Sequence, residues 1–472
     1  MTYRARTLLA ACIGLGLVAG LGAWAYFGLY RAEQRRERDA VLAGLVFDLE
    51  EQQVVAVRYQ RGELTADIER GRAGAQGLPE WRLTAPVAAA GDGAVINGVL
   101  SSLKLMSAEQ RIPLAEADPL ASYGLEPPRA SWQLTLRDGE RLRLDVGRRS
   151  PFNGQLYVRP GGRDAVVLVA GRLERALLRS LYDLRRKDLL AAEPDRVQRL
   201  EVVGRGAAAE PRRIVLERRA GRWELTAPIA DRADARTVRH LLQRLRNLRA
   251  KAFIDREVDD ALLGLEPPDW RLLIESGADG QRQEVIIGRG RQRPVRGKVY
   301  AERLVPPGPR AQVALHHWHG LDKSVFDYRF KAPLAFDPER VAKIQIARTK
   351  ALVVLERADR LDGGGSGWVL LAPRAGPAKA YKVESLLGGL AGLRASRFAG
   401  PADQAALQRW GLAEPQATIR LFDPEGQQLA RLRIGPAGED DTPVLGTARD
   451  PICLVPNDDL AALPTTAEQL AQ

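Results

Sequence analysis

Cysteine is nearly absent from this 472-residue chain, which carries only Cys12 and Cys453. The first sits in an apolar N-terminal run and the second near the C-terminus. With no CxxC anywhere, a disulfide framework and a cysteine-ligated zinc site are both excluded. Histidine is as scarce, limited to His240, His316, His317 and His319. No P-loop, no GxSxG and no HExxH occurs, so the nucleotide hydrolases, α/β-hydrolases and zinc proteases that depend on those words are set aside. Lysine supplies only ten of the 71 basic residues, and the net charge of +12 comes from arginine. These arginines lie among acids, as in LERRAGRWEL (Leu216 to Leu225), rather than in a block. With no reader motif beside the charge, nucleic acid is not an expected partner.

What is present is apolar and modular. Hydrophobic residues make up 45% and charged residues 28% of the chain, a composition that folds, and the length suits about three domains. From Leu8 to Tyr30 runs LLAACIGLGLVAGLGAWAYFGLY, without a charge and long enough to cross a hydrocarbon core of about 30 Å. Trp24, Tyr26 and Tyr30 suit a headgroup boundary at its end. Two processing alternatives compete: an A-x-A cleavage site at Ala23-Trp24-Ala25, and a lipoprotein-like box at Leu9 to Cys12. The apolar run continues past the first and is too short before the second. Arg4 and Arg6 precede the span, the layout of a signal anchor, which places the N-terminus in the cytoplasm and the bulk of the chain outside it. Gly16 and Gly20 form a GxxxG in this glycine-rich span, more simply read as packing-neutral than as a helix-pairing motif.

The chain repeats itself. WRLTAP (Trp81 to Pro86), WELTAP (Trp223 to Pro228) and WVLLAP (Trp368 to Pro373) start 142 and 145 residues apart. YGLEPP (Tyr123 to Pro128), LGLEPP (Leu263 to Pro268) and WGLAEP (Trp410 to Pro415) follow, with Gly124, Gly264 and Gly411 lying 43, 41 and 43 residues after each Trp. A strand-ending glycine, Gly147, Gly288 or Gly435, comes 23, 24 and 24 residues later. Three landmarks in register through three copies define a module of about 145 residues.

Each copy reads as an α+β unit. Period-2 alternation in RVQRLEVV (Arg196 to Val203) and RRIVLERRAGRWEL (Arg212 to Leu225) predicts a hairpin with one buried face, placing the Trp and the Leu two positions on to the same side. A helix follows, faced by Val238, Leu241, Leu242, Leu245 and Leu248 in copy two and by Val383, Leu386, Leu387, Leu390 and Leu393 in copy three. Leu100, Leu103 and Met106 mark it in copy one. The GL-x-P word is then a structural corner, its glycine in a backbone conformation closed to other residues. It leads into a hairpin turning at Asp138-Gly139 in copy one. QLYVR (Gln155 to Arg159), AVVLV (Ala165 to Val169) and a helical stretch to Leu190 close copy one, and KVYAE and a segment to Leu334 close copy two. The expected architecture is three tandem, mostly antiparallel sheets with helices on one face, preceded by one transmembrane helix. The boundaries are 1–7 cytoplasmic, 8–30 transmembrane, 31–45 linker, and modules at 46–190, 191–334 and 335–472.

W-x-L-x-x-P, a leucine-faced helix, (Y/W)GL-x-x-P and a strand ending in (I/V)G together resemble the domain of unknown function 4340 family, over residues 46 to 460. Copy three departs from the set, with VLLAP, GLAEP and no clear Tyr-Val strand after Gly435. The resemblance implies a bacterial inner-membrane protein with one N-terminal anchor, often encoded beside an ABC transporter and a gliding-motility-type auxiliary protein. The family has no established catalytic residues, so none is carried over.

Candidate chemistry is thin. LHHWHG (Leu315 to Gly320) brings His316, His317 and His319 together, but no acid or Cys at ligand spacing completes a tetrahedral site, and a solvated end of the closing helix is the simpler reading. His240 lies beside the apolar face of helix two and is read as structural. GRGRQRPVRGK (Gly288 to Lys298) concentrates five positive charges in a loop that could meet anionic lipid or an acidic partner, or be a solvated hairpin loop. Its Gly-x-Gly opens no helix and is no dinucleotide fingerprint. DGGGSG (Asp362 to Gly367) is expected at a hairpin tip. No catalytic, cofactor or metal residue is assigned. The expected function is that of a membrane-anchored, non-enzymatic scaffold for membrane-protein partners of a transporter-type complex. The alternative is an enzyme or ligand-binding protein acting on envelope glycan or lipid.

Overall fold

The computed structural model describes residues 26, 44–73, 79–190, 193–205, 211–277, 279–293, 295–358 and 367–472. The apolar run 8–30, Tyr26 apart, and Cys12 lie outside the described residues, as does the glycine-rich stretch 362–366. Among the described residues no helix is long and apolar enough to cross a membrane.

Alternating apolar residues dictate the strands, and the breaks between them come at Gly and Pro. In copy one, β1 (Val54–Arg61), β2 (Leu64–Ala73), β3 (Pro79–Ala85) and β4 (Ala89–Ala90) form a meander. The helix α1 (Gly93–Lys104) follows, then β5 (Gln110–Pro113) at the far edge. A second meander, β6 (Ala130–Leu136), β7 (Arg141–Arg149), β8 (Leu156–Pro160) and β9 (Ala165–Val169), returns to pair β6 with β1. The sheet order is β4-β3-β2-β1-β6-β7-β8-β9-β5, and the identical order recurs from β10 (Val197–Arg205) to β18 (Arg310–Val313) and from β19 (Lys343–Arg348) to β27 (Ile452–Pro456). The pairings are antiparallel. The repeated module is therefore an α+β sheet of nine strands.

One face of each sheet carries the long helix, α2 (Ala235–Arg246) in copy two and α3 (Ala380–Gly392) in copy three. Asp92 and Asp234 cap α1 and α2, their carboxylates accepting from Val95 N at 3.2 Å and from Arg236 N at 2.8 Å. The leucine faces point inward as the spacing predicts: Val238, Leu241, Leu242 and Leu245, and Val383, Leu386, Leu387 and Leu390, are buried. They share cores with the repeat tryptophans Trp81, Trp223 and Trp368 and with Leu83, Leu225 and Leu370. Each buried leucine is worth roughly 1.5–3 kcal/mol, so the helix is held by packing more than by propensity. The opposite face is covered in copies one and two by a smaller cluster under the GL corner, Tyr123, Leu125 and Tyr157, and Leu263, Leu265 and Tyr300.

The corner explains why two of the words keep step. Gly124, Gly264 and Gly411 have φ of +68°, +74° and +64°, a left-handed conformation that suits glycine. A Cβ on the strand-ending Gly147, Gly288 or Gly435 would run into a carbonyl oxygen of that corner, of Tyr123, Gly264 and Trp410 respectively. The two landmarks touch. The prolines of WRLTAP, WELTAP and WVLLAP follow cis peptide bonds in all three copies, and so do Pro127 and Pro267, whereas copy three has Glu414 at that place.

Two expectations are corrected. Copy three has its closing strands after all, β26 (Asp441–Gly446) and β27, where Thr442, Val444, Cys453 and Val455 supply the buried positions without a Tyr-Val pair. The stretch closing copy one is not a continuous helix but a succession of short turns, Gly171–Leu173, Glu174–Leu177 and Leu181–Leu184. Leu178 and Arg185 leave the helical region and end two of them.

Candidate functional site

The residues singled out by the sequence do not converge. His317 is buried, 5% exposed, while His316 and His319 on the same short helix Leu315–Leu321 face solvent, so the segment is not simply a solvated helix end. Burial, with His316, Arg244 and Lys251 nearby, pushes the His317 imidazole down to about 4, and its Nδ1 has no partner among the described residues. No group of three His, Cys, Asp or Glu able to hold a metal occurs among the described residues. His240 lies exposed on α2. In the basic loop, Arg291 turns back to Asp269 at 2.9 Å, and Val295 packs on the smaller cluster of copy two.

The geometry that does converge lies between modules. Modules one and two each end in a short capped helix, Leu181–Leu184 behind Ser180 and Val325–Tyr328 behind Ser324, both with a capping box to an Asp. Arg-x-Lys follows each, at Arg185 to Lys187 and Arg329 to Lys331. This linker bonds to both neighbours. Arg186 N donates to Ala90 O at 2.8 Å and Phe330 N to Arg232 O at 2.9 Å on the preceding module. Ala250 N donates to Lys187 O at 2.8 Å and Ala395 N to Lys331 O at 2.9 Å on the following one. Tyr182 meets Phe253 with ring centres 5.8 Å apart, and Phe326 meets Phe398 at 5.3 Å. The guanidiniums of Arg185 and Arg329 lie over those phenylalanines at 3.7 and 3.8 Å. Module one receives the preceding chain at the same place, where Ala108 N donates to Gly44 O at 2.8 Å.

The junctions differ in charge. At the second, the Asp231 carboxylate of β13 (Asp231–Arg232) accepts from Arg329 at 2.5 Å and from Arg449 at 2.7 Å, although the Arg449 side chain is only 2% exposed. At the first, the register of β4 puts Ala89 at that position, and Arg185 pairs instead with Asp255 at 2.7 and 2.8 Å. The first junction opens a cleft of about 690 Å³, in the range of small-ligand sites, lined by Arg82, Ala89, Arg186, Arg303, Gly308 and Asp255 among others. Burial, reinforced by Arg186, holds the Arg303 guanidinium below its ordinary value. The second junction has a cleft of about 520 Å³ beside Arg232, Arg329 and Arg449.

The sequence signal for these junctions was available. Ser-x-x-Asp followed by hydrophobic-Arg-x-Lys recurs 144 residues apart, from Ser180 and from Ser324, a fourth landmark outside the three words of the repeat. The cleft itself could not be read, because Arg303 and Arg186 are 117 residues apart and meet only through sheet order.

Fold and junctions define a tandem-repeat protein of serial α+β sheets with copy-specific joints. The family model described as Domain of unknown function (DUF4340) matches residues 81–268, 223–363 and 368–471, and the chain belongs to that family. Each matched segment starts on a repeat tryptophan, Trp81, Trp223 or Trp368. Neither curated proteins nor solved structures include a match to the chain.

Proposed function

We propose that this is a membrane-tethered, extracytoplasmic, non-enzymatic interaction protein of the bacterial inner membrane, an accessory to an ABC-transporter or gliding-motility-type complex. The observation that carries the reading is how the repeated residues are used. In every copy the Trp, the Leu-faced helix and the glycines are consumed in building and closing the core, and the surfaces that vary lie at the joints. The charge-free run Leu8 to Tyr30 supplies the tether, and the chain enters module one where the later modules receive their predecessors. Partners dock in the inter-module grooves; the edge strands β4 and β13 that border them, like β22 (Gly376–Pro377) in copy three, are two residues each and offer little ladder to extend.

The test is copurification from membranes solubilised in mild detergent, with a C-terminal reporter fusion for topology. Recovery with integral-membrane transporter subunits and an extracytoplasmic C-terminus supports the proposal. Repeated recovery of the chain alone, or a cytoplasmic C-terminus, defeats it. A second reading, a ligand-binding protein or enzyme acting on envelope glycan or lipid, is favoured by the cleft of about 690 Å³ at the first junction.

A further inference from the structure

The two junctions are built alike, so each serves as the reference for the other. At the second, one carboxylate, Asp231, gathers the linker arginine and an arginine of the next module. At the first, the corresponding Ala89 leaves that place without a charge, and the cleft is larger, about 690 against 520 Å³.

The acids lining the first cleft are mostly occupied. Asp255 is taken by Arg185, and Asp188 by Arg249 at 2.9 Å, which leaves Glu80. The lining also holds Arg82, Arg186 and Arg303, none of them in an ion pair among the described residues. Arg303 is fixed in place. Its Nε donates to Pro306 O at 2.9 Å, and its guanidinium rests on Gly308, where a Cβ would come within 2.6 Å of Nε. Both Nη groups are left without a protein partner among the described residues. A held guanidinium with two free Nη groups, beside a second cation, is the donor set that recognises a doubly charged oxyanion. Three unpaired cations against one unpaired acid leave two positive charges, which balance the two negative charges of a phosphate monoester.

We propose that the cleft between modules one and two binds a phosphate group, held by Arg303 and Arg186 at the place that Asp231 fills at the other junction. This does not rest on the partner-docking reading: phosphate binding and copurification are separate measurements and fail separately. The phosphate belongs either to a soluble compound or to a lipid headgroup, and two probes distinguish these.

The experiment is calorimetric titration of the full chain in zwitterionic detergent at low salt, with inorganic phosphate and with dihexanoyl phosphatidic acid, a lipid whose headgroup is a phosphate monoester. Saturable binding at one site per chain is expected for phosphate. Arg303→Ala and Arg186→Ala should each weaken it at least tenfold, and Arg239→Ala, on the exposed face of α2, should leave it unchanged. Ala89→Asp supplies the missing carboxylate and should abolish binding while leaving circular dichroism and the melting temperature at least at their original values, which separates loss of the site from loss of the fold. Lipid binding at least tenfold tighter than phosphate assigns the group to a headgroup, and equal or weaker binding assigns it to a soluble compound. Absence of saturable binding by both probes, or binding that Arg303→Ala and a folded Ala89→Asp leave intact, overturns the proposal.

Discussion

Gly288→Ala should unlock the second module. At this strand end in β16 (Gln281–Arg289) a Cβ would overlap the carbonyl group of Gly264 and lie 2.8 Å from the Leu263 carbonyl oxygen. All of these are backbone atoms, so no side chain can swing away. The corner that must move is tied by Leu265 N donating to Asp260 O at 2.9 Å, and it buries Leu263 and Leu265 against Ile286 and Tyr300. Overpacking of this kind costs about 1–3 kcal/mol, and the rigid neighbours place Gly288 at the upper end. About 3 kcal/mol corresponds to roughly a 150-fold rise in the open population. Gly388→Ala is the opposite case. Gly388 sits in α3 with nothing within 4 Å of a new Cβ, and the substitution should stabilise module three by about 0.5–1 kcal/mol. Hydrogen exchange read by mass spectrometry on the full chain resolves the modules, where a single melting curve would not. Peptides covering β15 (Trp270–Ser276) to β17 (Val299–Val305) should lose protection in Gly288→Ala while modules one and three keep theirs. Unchanged protection there would refute the reading that corner and strand end are mutually fitted.

Further expectations concern charge and burial. Asp231→Asn leaves the buried Arg449 guanidinium without its carboxylate, which should cost about 3–5 kcal/mol and make the 2–3 junction cleavable in limited proteolysis, whereas Asp255→Asn at the first junction should cost less because its carboxylate is 40% exposed. For His317 the folded pKa of about 4 lies below the ordinary 6.5, so the unfolded chain takes up the proton first. Stability is then fully present above about 6.5 and lost as the pH falls toward 4, by about 3 kcal/mol; His317→Gln, compared by urea unfolding across that range, should remove this part of the acid sensitivity. Cys453, buried and with its thiol pushed up to about 11, should resist iodoacetamide at pH 8 in the native chain and react on unfolding, read on its own peptide.

Periodicity exposed much of the fold because the residues that carry it act locally. Val238, Leu241, Leu242 and Leu245 lie on one turn-to-turn face, Trp223 and Leu225 on one side of a strand, and Gly264 at a corner whose φ only its own residue decides. Strand order was not legible, since the return of β6 to β1 joins Trp132 to Tyr59 across 73 residues without any local mark. The closing strands of copy three were obscured for a related reason. Burial in β26 and β27 is met by Thr442, Val444 and Cys453, which satisfy the pleat without the aromatic that marks the other copies. Arg303 and Arg186 gave no signal at all, because a cleft between domains is made by tertiary placement and either arginine alone reads as solvated surface.

One folding unit occurs three times in series, and the joints between units are where the copies diverge. An experimental structure of the full chain in detergent tests this most directly. The three modules should superpose with Trp81, Trp223 and Trp368, and Gly124, Gly264 and Gly411, in coincident environments, while Ala89 and Asp231 occupy equivalent places at their junctions. Modules whose tryptophans fall on different strands, or junctions in which those two positions do not correspond, would contradict it.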